Sequence, residues 1–259
     1  MRVSVALALA LAALGALLSS CGKANTSASV RTVTVQATTP PGTKAPGRSS
    51  GKTQAGRAAA LAFAQGVNLR ATDVPGFQGS TKGGESSTPA QKRLSRELQQ
   101  CVGAAANNQP VLELGSESFQ RKASIAEVSV SSNVSVQRSA AITGAELKAV
   151  RSPHTRSCFT RYFEGIFKGP AYKGATVGRV SLESGTPPAP GTSGSFGWRV
   201  RTSLGIRSVN IPVYFDVLGF FYGSSEVTLV SSGLAIPFPA AIEQQLFLLL
   251  LSRAKDRHP

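Results

Sequence analysis

Residues 211–222 read IPVYFDVLGFFY, twelve positions that are almost all apolar or aromatic. A run of that length and composition has no solvent face. It is a strand from the interior of a sheet that is covered on both sides. The preceding stretch is different: Phe196, Trp198, Val200, Thr202 and Leu204 alternate with Gly197, Arg199, Arg201 and Ser203, the period of a two-faced strand. Gly223, Ser224 and Ser225 then turn the chain into a further strand over 226–231. Short connections of this kind join antiparallel neighbours. The central run contains one charge, Asp216, which by the strand period shares a face with Tyr214, Leu218, Phe220 and Tyr222. A carboxylate among hydrocarbon needs a bonded partner, and Arg199 and Arg201 on the neighbouring strand are the expected ones. The bland reading is a structural ion pair. The functional reading is a pocket for an apolar or amphipathic ligand, built from Tyr214, Asp216, Phe220, Tyr222, Arg199 and Arg201.

Helical patterns surround this sheet. An Ala-rich stretch over 57–67 precedes a turn marked by Asp73, Pro75 and Gly76. Thr88 and Pro89 open a second helix as cap and first residue, with Leu94, Leu98, Cys101 and Val102 on its apolar stripe. EVSVSSNVSV, within 127–136, reads as a half-buried strand or a short hairpin. Helical spacing returns over 143–149 and 153–167, a strand pattern over 176–184, and a last helix over 239–253. Its apolar run, 246–251, is too short to cross a bilayer and suits packing on the sheet. Loose stretches over 79–88 and 185–194 punctuate the domain. Helices and strands are segregated along the chain, which predicts an α+β fold with an antiparallel strand meander.

The N-terminus supplies an address. Met1 and Arg2 precede sixteen apolar or small residues, 3–18, and then Ser19, Ser20 and Cys21. Leu18-Ser19-Ser20-Cys21 resembles the lipobox of bacterial lipoproteins. That resemblance implies a signal peptide over 1–20, cleavage before Cys21, a diacylglyceryl thioether on its sulfur and fatty acylation (palmitate) of the new N-terminus. Two or more chains anchor stably where one does not. The expected location is therefore the extracytoplasmic face of the cell membrane. Residues 22–53 are rich in Thr, Ser, Pro, Gly and Lys without a helical period, so 21–53 is expected to be a lipidated, disordered, basic tether and 54–259 a single α+β domain. The chain carries +15 overall. Eight basic residues and no acid precede Asp73, so more than half of that excess lies in the first third. An exported chain makes nucleic acid an improbable partner; the tether suits anionic lipid or a cell-wall polymer. A monomer is expected.

The motif L-x-x-x-D-x-P-G-F at 69–77 follows a helix; a cysteine ends the next helix and another lies in a mid-chain helix. Together with the meander and C-terminal helix, this pattern resembles actinobacterial envelope lipoproteins of the Lpq type. It is more loosely similar to the extracellular domains of mycobacterial Ser/Thr kinases. The resemblance implies a PsbP-like α+β domain with a central antiparallel sheet.

The chemistry available is sparse. Cys101 and Cys158 are the cysteines left once Cys21 is lipidated, and an exported protein meets oxidising conditions. A disulfide between them is expected, with two buried thiols as the alternative. Two histidines and three cysteines are too few for most His/Cys metal sites, and neither a metal nor another cofactor is expected. His154 sits at a helix start, where a surface or capping role is the ordinary one. No carboxylate pair, triad or phosphate loop stands out, so a non-catalytic envelope protein that binds a ligand or partner is the leading expectation. A hydrolase using Asp216 or His154 is the alternative.

Overall fold

The computed structural model describes residues 50–80, 89–103, 109–169, 172, 174–206 and 208–257. The expected signal peptide, the lipidation site Cys21 and the tether up to residue 49 lie outside the described residues. The tether was expected to run to residue 53. Helix α1, Ser50–Val67, begins earlier and takes in residues 50–53. A 3₁₀ turn, Ala71–Asp73, and a short strand β1, Gln78–Ser80, follow. Next come α2, Pro89–Cys101; β2, Leu112–Gly115; β3, Ser118–Ala123; and β4, Ala126–Val136. Helices α3, Ala140–Val150, and α4, Pro153–Phe167, are separated by two residues. Strands β5, Thr176–Val177; β6, Ser181–Gly185; β7, Gly194–Ile206; β8, Val209–Tyr222; and β9, Ser225–Leu234 complete the sheet before helix α5, Ala240–Lys255.

The fold is α+β. All nine strands join one antiparallel sheet in the order β1-β3-β4-β9-β8-β7-β5, with β2 also pairing β4 and β6 also pairing β7. The apolar run at 211–222 is interior, as its composition demands. Its period of two divides it between two cores. Val213, Phe215, Val217 and Phe221 join the core beneath α2, α3 and α4; Phe220, with Leu218 and Tyr222 against it, joins the core beneath α1 and α5. The sheet is therefore sandwiched between two helical layers. Aromatic contacts tie the first layer down: Phe163 meets Phe215 edge-on at 5.5 Å, and Phe159 meets Trp198 at 5.2 Å between ring centres. On the other face Phe220 and Phe247 make a T-shaped pair at 5.6 Å.

Helix α4 forms where its spacing predicts. Pro153 occupies the first turn, and Cys158, Phe159, Tyr162, Phe163, Ile166 and Phe167 are buried along one stripe. At the β8–β9 turn Gly223 takes a φ of 56°, a left-handed conformation that costs glycine nothing. Other expectations need correction. The 127–136 segment is one long strand rather than a hairpin, and it is buried on both faces. Its serines tolerate this because they are bonded: the Ser129 and Ser232 hydroxyls are 2.7 Å apart, and Ser132 Oγ donates to Asn68 Oδ1 at 2.8 Å while accepting from the Leu69 amide at 2.9 Å. The expected strand over 176–184 is split into β5 and β6. Between them Gly178 stays docked on β7, its amide bonded to the Ser203 carbonyl and its carbonyl to the Thr202 hydroxyl. Strands β1, β2 and β3 were not anticipated. They are short, and β3 is mostly exposed beyond its first two residues, so their sequences carry almost no alternation.

Candidate functional site

The six residues expected to form a pocket lie on β7 and β8. In the antiparallel register Arg199 stands opposite Asp216 and Arg201 opposite Tyr214. Arg199 Nε donates to Asp216 Oδ1 at 2.8 Å, and this bond raises the affinity of the guanidinium for its proton. Arg201 sits over the Tyr214 ring, 5.9 Å from its centre, a cation–π distance. Phe220 is wholly buried against Phe247, whereas Tyr214, Asp216 and Tyr222 are half-buried. The structure thus brings the arginines to Asp216 and Tyr214 and places Phe220 in the core beneath α5.

Helix α5 adds a residue that sequence reasoning did not single out. Ser231 stands opposite Asp216 on β9, and its hydroxyl donates to Glu243 Oε1. Glu243 is 6% exposed. Burial pushes its carboxyl up from the ordinary range; the Ser231 bond opposes this, Asp216 adds to it, and Arg199 opposes it. Arg199, Asp216, Ser231 and Glu243 form one polar group where α5 crosses the sheet. Arg199 pairs directly with Asp216, and the Ser231 hydroxyl ties Glu243 of α5 to β9.

The disulfide is present: Cys101 at the end of α2 is bonded to Cys158 in α4. Arg161 Nη2 donates to Cys101 Sγ at 2.7 Å. His154 Nε2 donates to the Cys101 carbonyl at 3.0 Å, which satisfies an acceptor that the end of α2 leaves open. Cys101, His154 and Cys158 are the three-residue group whose ligand atoms lie within 4.8 Å of one another, but sulfurs joined to each other offer no thiolate to a metal. His154 belongs to the α2–α4 side of the sheet and Asp216 to the α5 side. The two residues considered for hydrolysis are not brought together.

Asp73 does serve the turn: it accepts from the Arg70 amide at 2.8 Å. It also receives both guanidinium ends of Arg253 from α5, each at 2.7 Å.

The structure also opens a cleft of about 460 Å³ that the sequence did not reveal, within the range of small-molecule sites. It lies at the corner between α3 and α4, facing the start of β7 and the end of β6. Its polar lining comprises Arg151, Ser152, Arg156, Ser184, Thr186 and Trp198. Val150 and Phe196 supply apolar wall. Local geometry fixes these groups. Arg151 ends α3 and is clamped by two hydrogen bonds, at 3.0 and 2.6 Å, from Nε and Nη2 to the Ser195 carbonyl. Ser152 is the N-cap position of α4 but makes no side-chain capping bond. Ser184 pairs with Trp198 across the β6–β7 ladder, and the Ser195 hydroxyl donates to the Pro187 carbonyl, tying down the loop after β6. Trp198 is 4% exposed, and its indole Nε1 has no hydrogen-bond partner among the described residues. An unpaired buried donor costs about 1–3 kcal/mol. The sequence signals were a helix-to-helix junction at Arg151-Ser152-Pro153 and one tryptophan far downstream. Nothing in the linear pattern says that they meet.

No protein-family model matches the chain, and no curated protein sequence matches it.

Proposed function

We propose that this chain is a non-catalytic, lipid-anchored binding protein of the bacterial cell envelope, similar to the Lpq-type lipoproteins, and that the cleft at the α3–α4 corner seats its ligand. The observation that carries the anchoring half of this reading is Leu18-Ser19-Ser20-Cys21, whose leucine closes a run of sixteen apolar or small residues. Among the described residues no helix is long and apolar enough to cross a membrane, so in this reading the acylated Cys21 supplies the attachment and the basic tether adds contact with anionic headgroups. The binding half is supported by a cleft with an apolar wall and polar groups fixed by their own hydrogen bonds.

The test is expression of the full chain in a bacterium with lipoprotein processing. Wild-type protein should partition into detergent, and its N-terminal peptide should carry the mass of an acylated Cys21. Cys21→Ala should leave the membrane under a high-salt wash. A Cys21→Ala protein that stays firmly membrane-bound, with an unmodified wild-type peptide, sinks the anchor.

A further inference from the structure

We infer that the α3–α4 cleft recognises a phosphate group carried on a small organic body. Two of the eleven lining residues are charged, and both are arginines, Arg151 and Arg156. Three hydroxyls, from Ser152, Ser184 and Thr186, share the wall. The fifteen-residue helix α4 starts in the cleft, with Ser152 as its cap and Pro153 in its first turn, so the positive end of its dipole meets the ligand space. Trp198 contributes to the wall of the cleft, and its ring, packed on Phe159 at 5.2 Å, makes that wall rigid.

These groups are nearly all donors, and they come from α3, α4, β6, β7 and the loop after β6. A tetrahedral phosphate has three terminal oxygens and accepts from several directions at once, where a carboxylate presents two oxygens in one plane. Arg151 is already clamped to the Ser195 carbonyl by Nε and Nη2, which leaves it pre-oriented with N–H groups to spare. Arg156 is exposed and makes no ion pair or side-chain hydrogen bond among the described residues, so its charge is not spent elsewhere. The volume, about 460 Å³, exceeds what inorganic phosphate needs. The remainder is bounded by Val150, Phe196 and the Trp198 ring, which suits the organic part of a phosphate ester or the glycerol end of a phospholipid headgroup. This inference rests on the reading of the cleft as the ligand seat.

Trp198 is the chain's one tryptophan, so its fluorescence reports on the cleft directly. The experiment uses the full chain in phosphatidylcholine nanodiscs. Glycerol 3-phosphate tests a free phosphate ester, nanodiscs containing phosphatidic acid test a lipid headgroup, and glycerol is the uncharged control. A saturable change in Trp198 emission is expected with glycerol 3-phosphate or with phosphatidic acid, and the arm that responds identifies the source. Arg156→Gln should weaken that binding at least tenfold while leaving the thermal midpoint unchanged. If glycerol binds as well as its phosphate and Arg156→Gln changes nothing, the phosphate class is wrong although the cleft still binds. If no probe alters the emission, both the phosphate and the cleft as ligand seat are overturned.

Discussion

Arg253 grips Asp73 with both ends of its guanidinium, at 2.7 Å each, and adds a third bond at 3.1 Å to the Asn68 carbonyl. The two side chains are 17% and 8% exposed. A bidentate, largely buried pair fastens the last helix to the turn that follows the first. Between them α1 and α5 cover one whole core, so this contact locks that layer at its edge.

Breaking the pair should be expensive. Arg253→Ala leaves the Asp73 carboxylate buried without its cation, and a loss of about 3 kcal/mol is expected by urea denaturation. Arg253→Lys should recover only part, because an ammonium cannot reproduce the two-pronged geometry. The acid limb gives a second readout. Burial works against the Asp73 charge, but the Arg253 bonds, the Arg70 amide and both positive charges outweigh it, so the carboxyl is held below its ordinary value of 3.8. A depressed folded value stabilises the protein above 3.8, and the contribution is lost as pH falls through the folded value. Asp73→Asn should abolish that part of the acid dependence. A change below 0.5 kcal/mol in Arg253→Ala would show that the pair is incidental.

The disulfide should carry a comparable load. Cys101 and Cys158 are 57 positions apart, and a loop of that size is worth up to about 4 kcal/mol in the chain-entropy model. Non-reducing peptide mapping should recover the two cysteines in one linked pair. The double serine variant should lose about 2–4 kcal/mol. Free thiols at both positions in protein taken from the envelope would refute the bridge.

Glu243 predicts the opposite pH behaviour to Asp73. Its carboxyl is raised above 4.5, chiefly by burial of the α5 face that carries it. The folded state therefore holds the proton more tightly than the unfolded state. Its contribution to stability is fully present below 4.5 and is lost as pH rises through the folded value. Glu243→Gln keeps a carbonyl oxygen to accept from Ser231 and cannot ionise. Thermal melts from pH 4 to 8 should show a flatter profile for this variant, with its advantage over wild type growing toward pH 8. Parallel profiles for the two proteins would mean that Glu243 is solvated in solution.

Much of the architecture could be read from the chain. The helix over 153–167 has the bounds its spacing predicts, because proline marks its start and a continuous apolar stripe its length. Strand β7 follows its alternation, since a period of two is unambiguous over ten or more residues, and β8 is the interior strand that its apolar run demands; β9 runs on to Leu234, past the expected 226–231. The short strands escaped notice because pairing, of β2 and β3 with β4 and of β1 with β3, rather than their own composition, makes them strands. Arg199 could be named as the partner of Asp216 since adjacent strands in a meander face each other. Glu243 could not, because it arrives from a helix that follows the sheet.

Local pattern therefore determined the α+β class, the long helices, the β7–β8–β9 meander, the candidate cysteine pair and the interior place of the 211–222 strand. These depend on periodicity and on the few cysteines present, both of which are properties of the linear chain. The tertiary structure alone decided that helices cover both faces of the sheet, that Arg253 reaches Asp73, and that Arg151, Arg156 and Trp198 border one cleft. Each of those joins residues far apart in sequence. Their meeting depends on strand register and helix docking, where many weak apolar contacts sum to a single arrangement that no short motif encodes.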